Sequence, residues 1–404
     1  MTADELLLRE RQILQRSLKG NVKTCCSGNK VRSGELSPGC RRCTAGSWTC
    51  LFITGICSER CFFCPAEQRS DHVPSDMRQI PFPDPDGFAR FLKMTGREGV
   101  AFSGGECLLV FERLLSYIRA VRRKLPGIHI WIYTNGRHLV KGHLPELRSA
   151  GLNEIRFNVF ADGYSLEKPV LAVPFIKTVT IEIPAVPGDT TKVREMARSA
   201  GRNGVKYLNL HQLLMTPYNS KEFKARGYSV IPGTNAVLES EVAALRIISG
   251  LRFKGHAVPV QYCSVRYKEL FHARTLRSQA LSFLPFTRLE ATAQGFLRDV
   301  SGSTREVRYF EPKLVSGKKR GRMSAGKDLS ACLTSVLARK LDARTAGAVR
   351  PCFAGRRSWD KARTDLFASA DGCSRSSLVG GLRRISELEQ MEEFPKGPFL
   401  KERV

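Results

Sequence analysis

Three cysteines, Cys57, Cys61 and Cys64, fall within one short stretch, Gly55-Ile56-Cys57-Ser58-Glu59-Arg60-Cys61-Phe62-Phe63-Cys64-Pro65. Thiolates at such intervals on a single loop can reach three irons of a four-iron cluster and leave the fourth without a protein ligand. An open coordination position is what a catalytic metal centre keeps for substrate or cofactor. The competing reading is a zinc knuckle on Cys61 and Cys64. A closed zinc site needs four ligands, usually two such pairs, and no second pair follows at finger spacing. Phe63, beside the last cysteine, suits either core packing or the cover of an adenine ring.

Other residues able to do chemistry stand at the ends of apolar runs. Phe102-Ser103-Gly104-Gly105-Glu106-Cys107 offers paired glycines, which let a ligand approach backbone where a Cβ would intrude, and a carboxylate. Tyr133-Thr134-Asn135-Gly136, Asn158 and Glu182 before Pro184 close three further runs. Cys40 and Cys43 form a C-x-x-C pair that, with Cys25 or Cys26 and Cys263, could complete a four-thiolate site for a second iron–sulfur cluster or for zinc. The alternative is that Cys40 and Cys43 are buried small residues ordering their segment. Cys50 reads as core. Cys332, Cys352 and Cys373 lack such pairing, and His211 suits either substrate contact or a hydrogen-bonded core position.

The elements that must position these residues alternate. Six apolar runs have the length of buried parallel strands: Thr49–Gly55, Gly99–Ser103, Ile128–Thr134, Glu154–Phe160, Thr178–Pro184 and Lys206–Leu213. Between the second and third, Leu114, Leu115, Ile118, Val121 and Leu125 make one helical stripe, ended by Pro126-Gly127. Helical periods recur at Gly87–Met94, Leu144–Ala150, Lys192–Arg202 and Glu239–Ser249. Strand–helix repetition implies parallel strands with right-handed crossovers, so an α/β partial (βα)6 barrel is expected, with every strand end on one C-terminal face. Three regions are expected: a Cys-containing N-terminal segment with a helix (1–47), the partial barrel (48–262), and a mixed, basic C-terminal extension (263–404). Within the last, Val307–Tyr309 alternates like a strand between loop-like Ser301-Gly302-Ser303 and Ser316–Gly321.

The chain has 404 residues, 42% hydrophobic and 25% charged, ordinary usage for a chain that buries a core. Charges among the leucines of Met1–Lys19 exclude a signal-peptide core or a membrane span there, so a cytoplasmic location is expected. In that compartment 13 cysteines point to metal binding sooner than to disulfides. The net charge of +27 is uneven: residues 313–363 hold 14 Lys or Arg against 3 Asp or Glu, hence +11. Such a stripe could track nucleic-acid phosphates or be a solvated surface.

Cys57-x-x-x-Cys61-x-aromatic-Cys64 after a first strand, with Ser103-Gly104-Gly105-Glu106 after a second, resembles the radical S-adenosylmethionine (SAM) superfamily. The resemblance covers about 48–262. It implies a partial barrel that binds a [4Fe-4S] cluster at Cys57, Cys61 and Cys64, with SAM on the open iron, cleaved reductively to a 5′-deoxyadenosyl radical that modifies a carbon centre of the substrate. Gly104, Gly105 and Glu106 would line the methionyl moiety, Phe63 would contact adenine, and Asn158 would lie near the SAM carboxylate or ribose. Cys107 departs from the pattern, where many members have proline. Pro38-Gly39-Cys40-x-x-Cys43, Leu208–Leu213 with Pro217-Tyr218-Asn219, and Gln261-Tyr262-Cys263-Ser264 resemble a little-characterised subgroup related to pyruvate formate-lyase activating enzymes. That kinship implies a low-potential flavodoxin or ferredoxin as electron donor, an anaerobic setting and a peptide or protein substrate. RNA, through the basic extension, is the alternative substrate, and a non-catalytic iron–sulfur electron-transfer module is the alternative function.

Overall fold

The computed structural model describes residues 2–20, 22–25, 29–67, 70–251 and 258–281, and beyond them only the strands 290–291, 297–299, 308–316, 333–340 and 383–384. The chain divides into two compact units, one of Met1–Asp86 with Glu98–Glu269 and one of Gly87–Arg97 with Leu270–Val404.

The chain order is α1 (Ala3–Ser17), β1 (Lys23–Cys25), β2 (Lys30–Arg32), α2 (Pro38–Ala45), β3 (Trp48–Thr54), β4 (Ser75–Asp76), α3 (Pro85–Met94), β5 (Gly99–Gly104), α4 (Phe111–Lys124), β6 (His129–Thr134), α5 (His143–Ala150), β7 (Glu154–Phe157), α6 (Glu167–Ala172), β8 (Thr178–Pro184), α7 (Thr190–Arg202), β9 (Tyr207–His211), α8 (Ser220–Ala225), α9 (Leu238–Gly250), β10 (Val260–Cys263) and α10 (Val265–Leu281). Then come β11 (Glu290–Ala291), β12 (Leu297–Asp299), β13 (Arg308–Ser316), β14 (Leu333–Lys340) and β15 (Arg383–Arg384).

In the first unit ten strands form one sheet, ordered β1-β2-β10-β9-β8-β7-β6-β5-β3-β4. Its seven central strands are all parallel, and each lies beside its neighbour in the chain order of the parallel set. The fold is a mixed α/β one whose barrel is not closed: antiparallel β1–β2 and β4 stand at the two edges. All six expected strands form. The seventh parallel strand, β10, was not among them, because four residues with only Val260 and Tyr262 on the apolar face make too short a signal. The strand expected over Glu154–Phe160 stops at Phe157, since the Asn158 side chain accepts from Phe160 N and turns the chain into a 3-10 turn, Val159–Asp162.

Period-2 alternation gives the sheet two unlike faces. One carries Leu51, Ile53, Val100, Phe102, Ile130, Ile132, Ile155, Phe157, Ile181, Ile183, Leu208 and Leu210, all fully buried. Each such side chain contributes about 1.5–3 kcal/mol on burial. Helix α9 packs on β10 and against α7, and α1 packs on α9, tied by Arg11 to Glu241 and Arg246 to Glu10. The other face carries Trp48, Cys50, Ala101, Trp131 and Tyr133, then Glu154, Arg156, Glu182, Asn209, His211, Gln261 and Cys263. Helix α2 lies against it at β3, β5 and β6, with Cys43 packed on the Trp48, Cys50, Ala101 and Trp131 cluster. Pro38 at the first turn and the Ser37 side chain accepting from Cys40 N start α2; Gly46 in the left-handed conformation ends it. Segment 1–47 is thus woven into the sheet unit through β1, β2 and α2.

In the second unit, β14-β13-β12-β11-β15 form a five-stranded sheet, antiparallel except for β11–β15. The strand expected at Val307–Tyr309 is the start of β13, which extends through Ser316. Ser301–Ser303, Gly317–Gly321, Cys26, Cys332, Cys352 and Cys373 lie outside the described residues, as does most of the basic stretch 313–363.

Candidate functional site

The C-terminal strand ends build the site around the loop that leaves β3. Gly105 N donates to Thr54 O at 2.8 Å and Glu106 N to Ile56 O at 2.7 Å, so the β5 end continues pairing with the cysteine loop. A Cβ on Gly104, where φ is +120°, would stand 2.2 Å from Thr54 O, and one on Gly105 would stand 1.9 Å from Ile56 O. What approaches these glycines is therefore the protein's own backbone, and the approach fixes the start of the loop. A second support is Asp71, which accepts from Thr54 Oγ1 at 2.7 Å and from both Arg113 guanidinium nitrogens, while Ile56 N donates back to Thr54 Oγ1. The Arg113 hydrogen bonds hold the Asp71 carboxyl far below the usual carboxylate range.

Cys57, Cys61 and Cys64 are half-buried and close enough for their charges to act on one another. Burial pushes the Cys61 thiol up to about 12, with Cys57 and Cys64 adding to it. Cys57 Sγ accepts from Glu59 N at 3.4 Å and faces Asn135 Nδ2 at 3.8 Å. From the β6 end, Arg137 pairs with Glu59 at 2.6 Å and His138 Nε2 meets Ser58 Oγ at 3.0 Å. These residues, with Lys168, border a groove of about 440 Å³ beside the loop. A cleft of similar size between α6 and α7 lies away from the strand ends.

Glu106 is buried, and its carboxylate accepts from Thr134 Oγ1 at 2.7 Å, Asn135 N at 2.7 Å and Leu108 N at 3.0 Å. Burial nonetheless raises its pKa, against those three hydrogen bonds. A carboxylate offers about four lone-pair sites, so Glu106 can accept one further N–H. Cys107 is fully buried and opens the 3-10 turn Cys107–Val110 that Glu106 caps. Phe63 sits edge-on to Phe160 (centroids 4.8 Å apart) and to Phe62. Asn158, two residues before Phe160, spends its side-chain oxygen on the Phe160 amide.

Of the residues that anchor the loop, Asn219 alone has a signal in the sequence. Asn219 Nδ2 donates to Phe63 O at 3.3 Å and Thr216 Oγ1 to Pro65 O at 2.9 Å, so the segment after β9 clamps the far end of the cysteine loop. Pro217-Tyr218-Asn219 carried that signal as a motif without a role. Asp71, Arg113 and Arg137 had no local sequence signal, being charged residues whose partners lie elsewhere in the chain.

The inner face of the sheet holds a second grouping. Arg156 donates to Glu154 Oε1 at 2.8 Å, to Glu182 Oε2 at 2.7 Å and to Ser37 Oγ at 3.2 Å, and its guanidinium lies over the Trp131 and Tyr133 rings. Burial is the largest single influence and disfavours both carboxylates, but Arg156 together with His129 and Gly39 N at Glu154, and with His211 and Asn209 at Glu182, outweighs it and keeps them ionised, Glu154 at about 2 and Glu182 lower still. Glu182 also accepts from Asn209 Nδ2 at 2.8 Å and pairs with His211 Nε2. Cys40, Cys43 and Cys263 are brought together here: each pair among them is close enough to interact electrostatically, with Lys30, Lys268 and Arg156 nearby. Burial raises Cys43 to about 12 and Cys263 to about 11. Cys25 stands in the same strand row, opposite Lys30, which is opposite Cys263; its side chain lies outside the described residues. Among the described residues, no three His, Cys, Asp or Glu side chains already stand at the mutual spacing of a bound metal's ligands, in either grouping. No described helix is long and apolar enough to cross a membrane.

Residues 51–225 match the model of the radical SAM superfamily. A protein of Methanocaldococcus jannaschii, provisionally named a glycyl-radical enzyme activating enzyme, is 29% identical over 255 residues, which are 59% of this chain and 66% of that one. The chain thus spans just under two thirds of that relative's length. Among solved structures, the hydrogenase maturase HydG of Carboxydothermus hydrogenoformans is 12% identical with a TM-score of 0.35, covering 61% of this chain and 64% of that one. Streptococcus suis SuiB bound to precursor peptide SuiA is 15% identical with a TM-score of 0.35, covering 52% of each chain. At those scores the likeness is too loose to carry weight, and the fold rests on the strands described above.

Proposed function

We propose that the chain, whose residues 51–225 match the radical SAM superfamily, is an enzyme that cleaves SAM reductively at a [4Fe-4S] cluster held by Cys57, Cys61 and Cys64, to modify a carbon centre of a peptide or protein. The observation that carries the reading is the convergence of three mutually close thiols on one loop with a buried carboxylate, Glu106, and the paired glycines of the adjoining strand end. The donor set fits the group: three soft sulfur ligands suit iron–sulfur, and Asn135 Nδ2 beside Cys57 Sγ supplies the kind of outer contact that tunes such centres. When bound, a reduced cluster with SAM supplies the 5′-deoxyadenosyl radical.

This chain's own residues do the positioning. Gly104 and Gly105 let β5 press against the loop, and with Glu106 they would line the methionyl moiety of SAM. Phe63, with Phe160 behind it, offers an aromatic edge for adenine, and Asn158 polar atoms near the carboxylate or ribose. The electron donor is a low-potential flavodoxin or ferredoxin. The protein substrate is supported by the M. jannaschii relative, whose name assigns it the activation of a glycyl-radical enzyme.

The test is anaerobic reconstitution with iron and sulfide, reduction, and counting of 5′-deoxyadenosine per chain. Several turnovers are expected; an iron–sulfur spectrum without any 5′-deoxyadenosine would leave only the electron-transfer module. RNA is the second reading, favoured by the +11 carried on residues 313–363. Its binding would fall steeply with salt, and salt-insensitive binding of a protein would remove it.

A further inference from the structure

The buried grouping on the inner face has the parts of a closed metal site distinct from the loop. Cys40 and Cys43 are three residues apart on α2, so one helix face presents both. Across from them, β9 and β10 place His211 and Cys263 side by side in one strand row, with Asn209 and Gln261 side by side in the row below. Lys30 of β2 continues the upper row next to Cys263.

Three observations point to an occupant. First, two amide groups, Gln261 Nε2 at 2.6 Å and Asn209 Nδ2 at 3.4 Å, converge on Cys40 Sγ. A neutral thiol is a weak acceptor, whereas an anionic, metal-bound sulfur attracts such donors. Second, Glu182 is an acceptor-only carboxylate fixed by Arg156 and Asn209, so His211 must give it the Nε2–H. The lone pair then lies on His211 Nδ1, which is buried and has no hydrogen-bond partner. A histidine whose second nitrogen is held by a carboxylate is the arrangement that orients metal-ligating imidazoles. Third, Gln261 is 5% exposed and its Oε1 is likewise unpartnered.

We propose that Cys40, Cys43, Cys263 and His211 Nδ1 bind one zinc-class divalent ion on the inner face of the sheet. Three sulfurs and one imidazole nitrogen are a closed tetrahedral set, the kind that holds a structural ion and leaves no position open. Binding exchanges three S–H protons, released to solvent, for three metal–sulfur bonds, and involves no redox change. The resulting single negative charge faces Lys30 and Lys268. Helix α2, which carries Cys40 and Cys43, is fixed by Gly39 N to Glu154 at 3.0 Å and by Lys30 Nζ to Thr44 at 3.0 Å; the four donors do not stand at ligand spacing in this structure, so the ion would have to draw their side chains together.

The full-length chain is incubated with Zn²⁺ alone, desalted and counted for zinc, then studied with Co²⁺ as the optical probe. About one zinc per chain is expected, with intense tetrahedral cobalt bands and sulfur-to-cobalt charge transfer. Cys40→Ser/Cys43→Ser/Cys263→Ser should hold none, whereas Cys57→Ala/Cys61→Ala/Cys64→Ala should keep its zinc while losing 5′-deoxyadenosine formation, so the two sites fail separately. Because the buried triple variant could misfold, Glu182→Gln is the milder arm: zinc affinity should fall roughly ten- to a hundredfold with the charge-transfer band retained. An octahedral cobalt spectrum without charge transfer, or zinc undiminished in the buried triple variant, overturns the proposal. So does an iron–sulfur cluster that survives loss of the loop cysteines and vanishes with the buried ones, since that would make the occupant a second cluster.

Discussion

The two thiol sets of the sheet unit differ in how they are assembled. Cys57, Cys61 and Cys64 sit on a single loop, half-exposed beside a groove, and the loop is held from outside by Thr54, Asp71, Arg137 and Asn219. Cys40, Cys43 and Cys263 come from a helix and a strand more than two hundred residues apart and are enclosed by ionised Glu154, Glu182 and Arg156. A loop can leave one metal position facing substrate; an enclosed set held by secondary structure on every side cannot. Both sets offer three sulfurs, and on the proposed reading it is the packing around them that would separate reactive from structural chemistry.

The largest effect that would break this contrast comes from the loop. Cys57→Ala, Cys61→Ala and Cys64→Ala together should reduce 5′-deoxyadenosine to background with the thermal melt little changed; persistent cleavage would mean other ligands. Next is the enclosed set's support. Arg156→Met strands two buried carboxylates and should cost about 3–5 kcal/mol in urea unfolding, and a loss under about 1 kcal/mol would show that the network is not what holds α2. Gly105→Ala forces a Cβ onto the Ile56 carbonyl. We expect about 2–4 kcal/mol of destabilisation and poor cluster retention, checked by melting and iron content. Asn219→Ala removes the hydrogen bonds to Phe63 O, Leu214 O and Thr216 N and should cost about 2–3 kcal/mol, read as faster iron loss to a chelator while buried zinc is unchanged.

Acid should also act unequally on the two regions. Glu154 is held at about 2, below its ordinary value of 4.5, so its contribution is present above pH 4.5 and is lost as pH falls toward 2. Unfolding followed between pH 5 and pH 2 should show that loss in the wild type and a smaller one in Glu154→Gln. Equal slopes would remove Glu154 from the acid response.

Much of this was legible in the sequence where chemistry and order run together. The loop cysteines, Gly104-Gly105-Glu106 and six of seven parallel strands each carry a local pattern: a spacing, a doublet or an apolar run. What was not legible depends on pairs distant in the chain. Glu154 and Arg156 read as ordinary strand residues facing water until α2 covers them, and β10 is too short to announce itself. The role of the glycines also shifted, since what they admit is the Ile56 and Thr54 carbonyls.

The in-order sheet has a consequence for biosynthesis. The seven parallel strands, β3 and β5 to β10, follow one another across the sheet as they follow one another in the chain, and domains form from the N-terminus as the chain emerges. The three loop thiols leave the ribosome together, before most of the sheet exists. Cys40 and Cys43 emerge earlier still, but Cys263 arrives on the last parallel strand. Until then the C-x-x-C pair cannot meet Cys263, so completion of the proposed buried set would report that the sheet is finished.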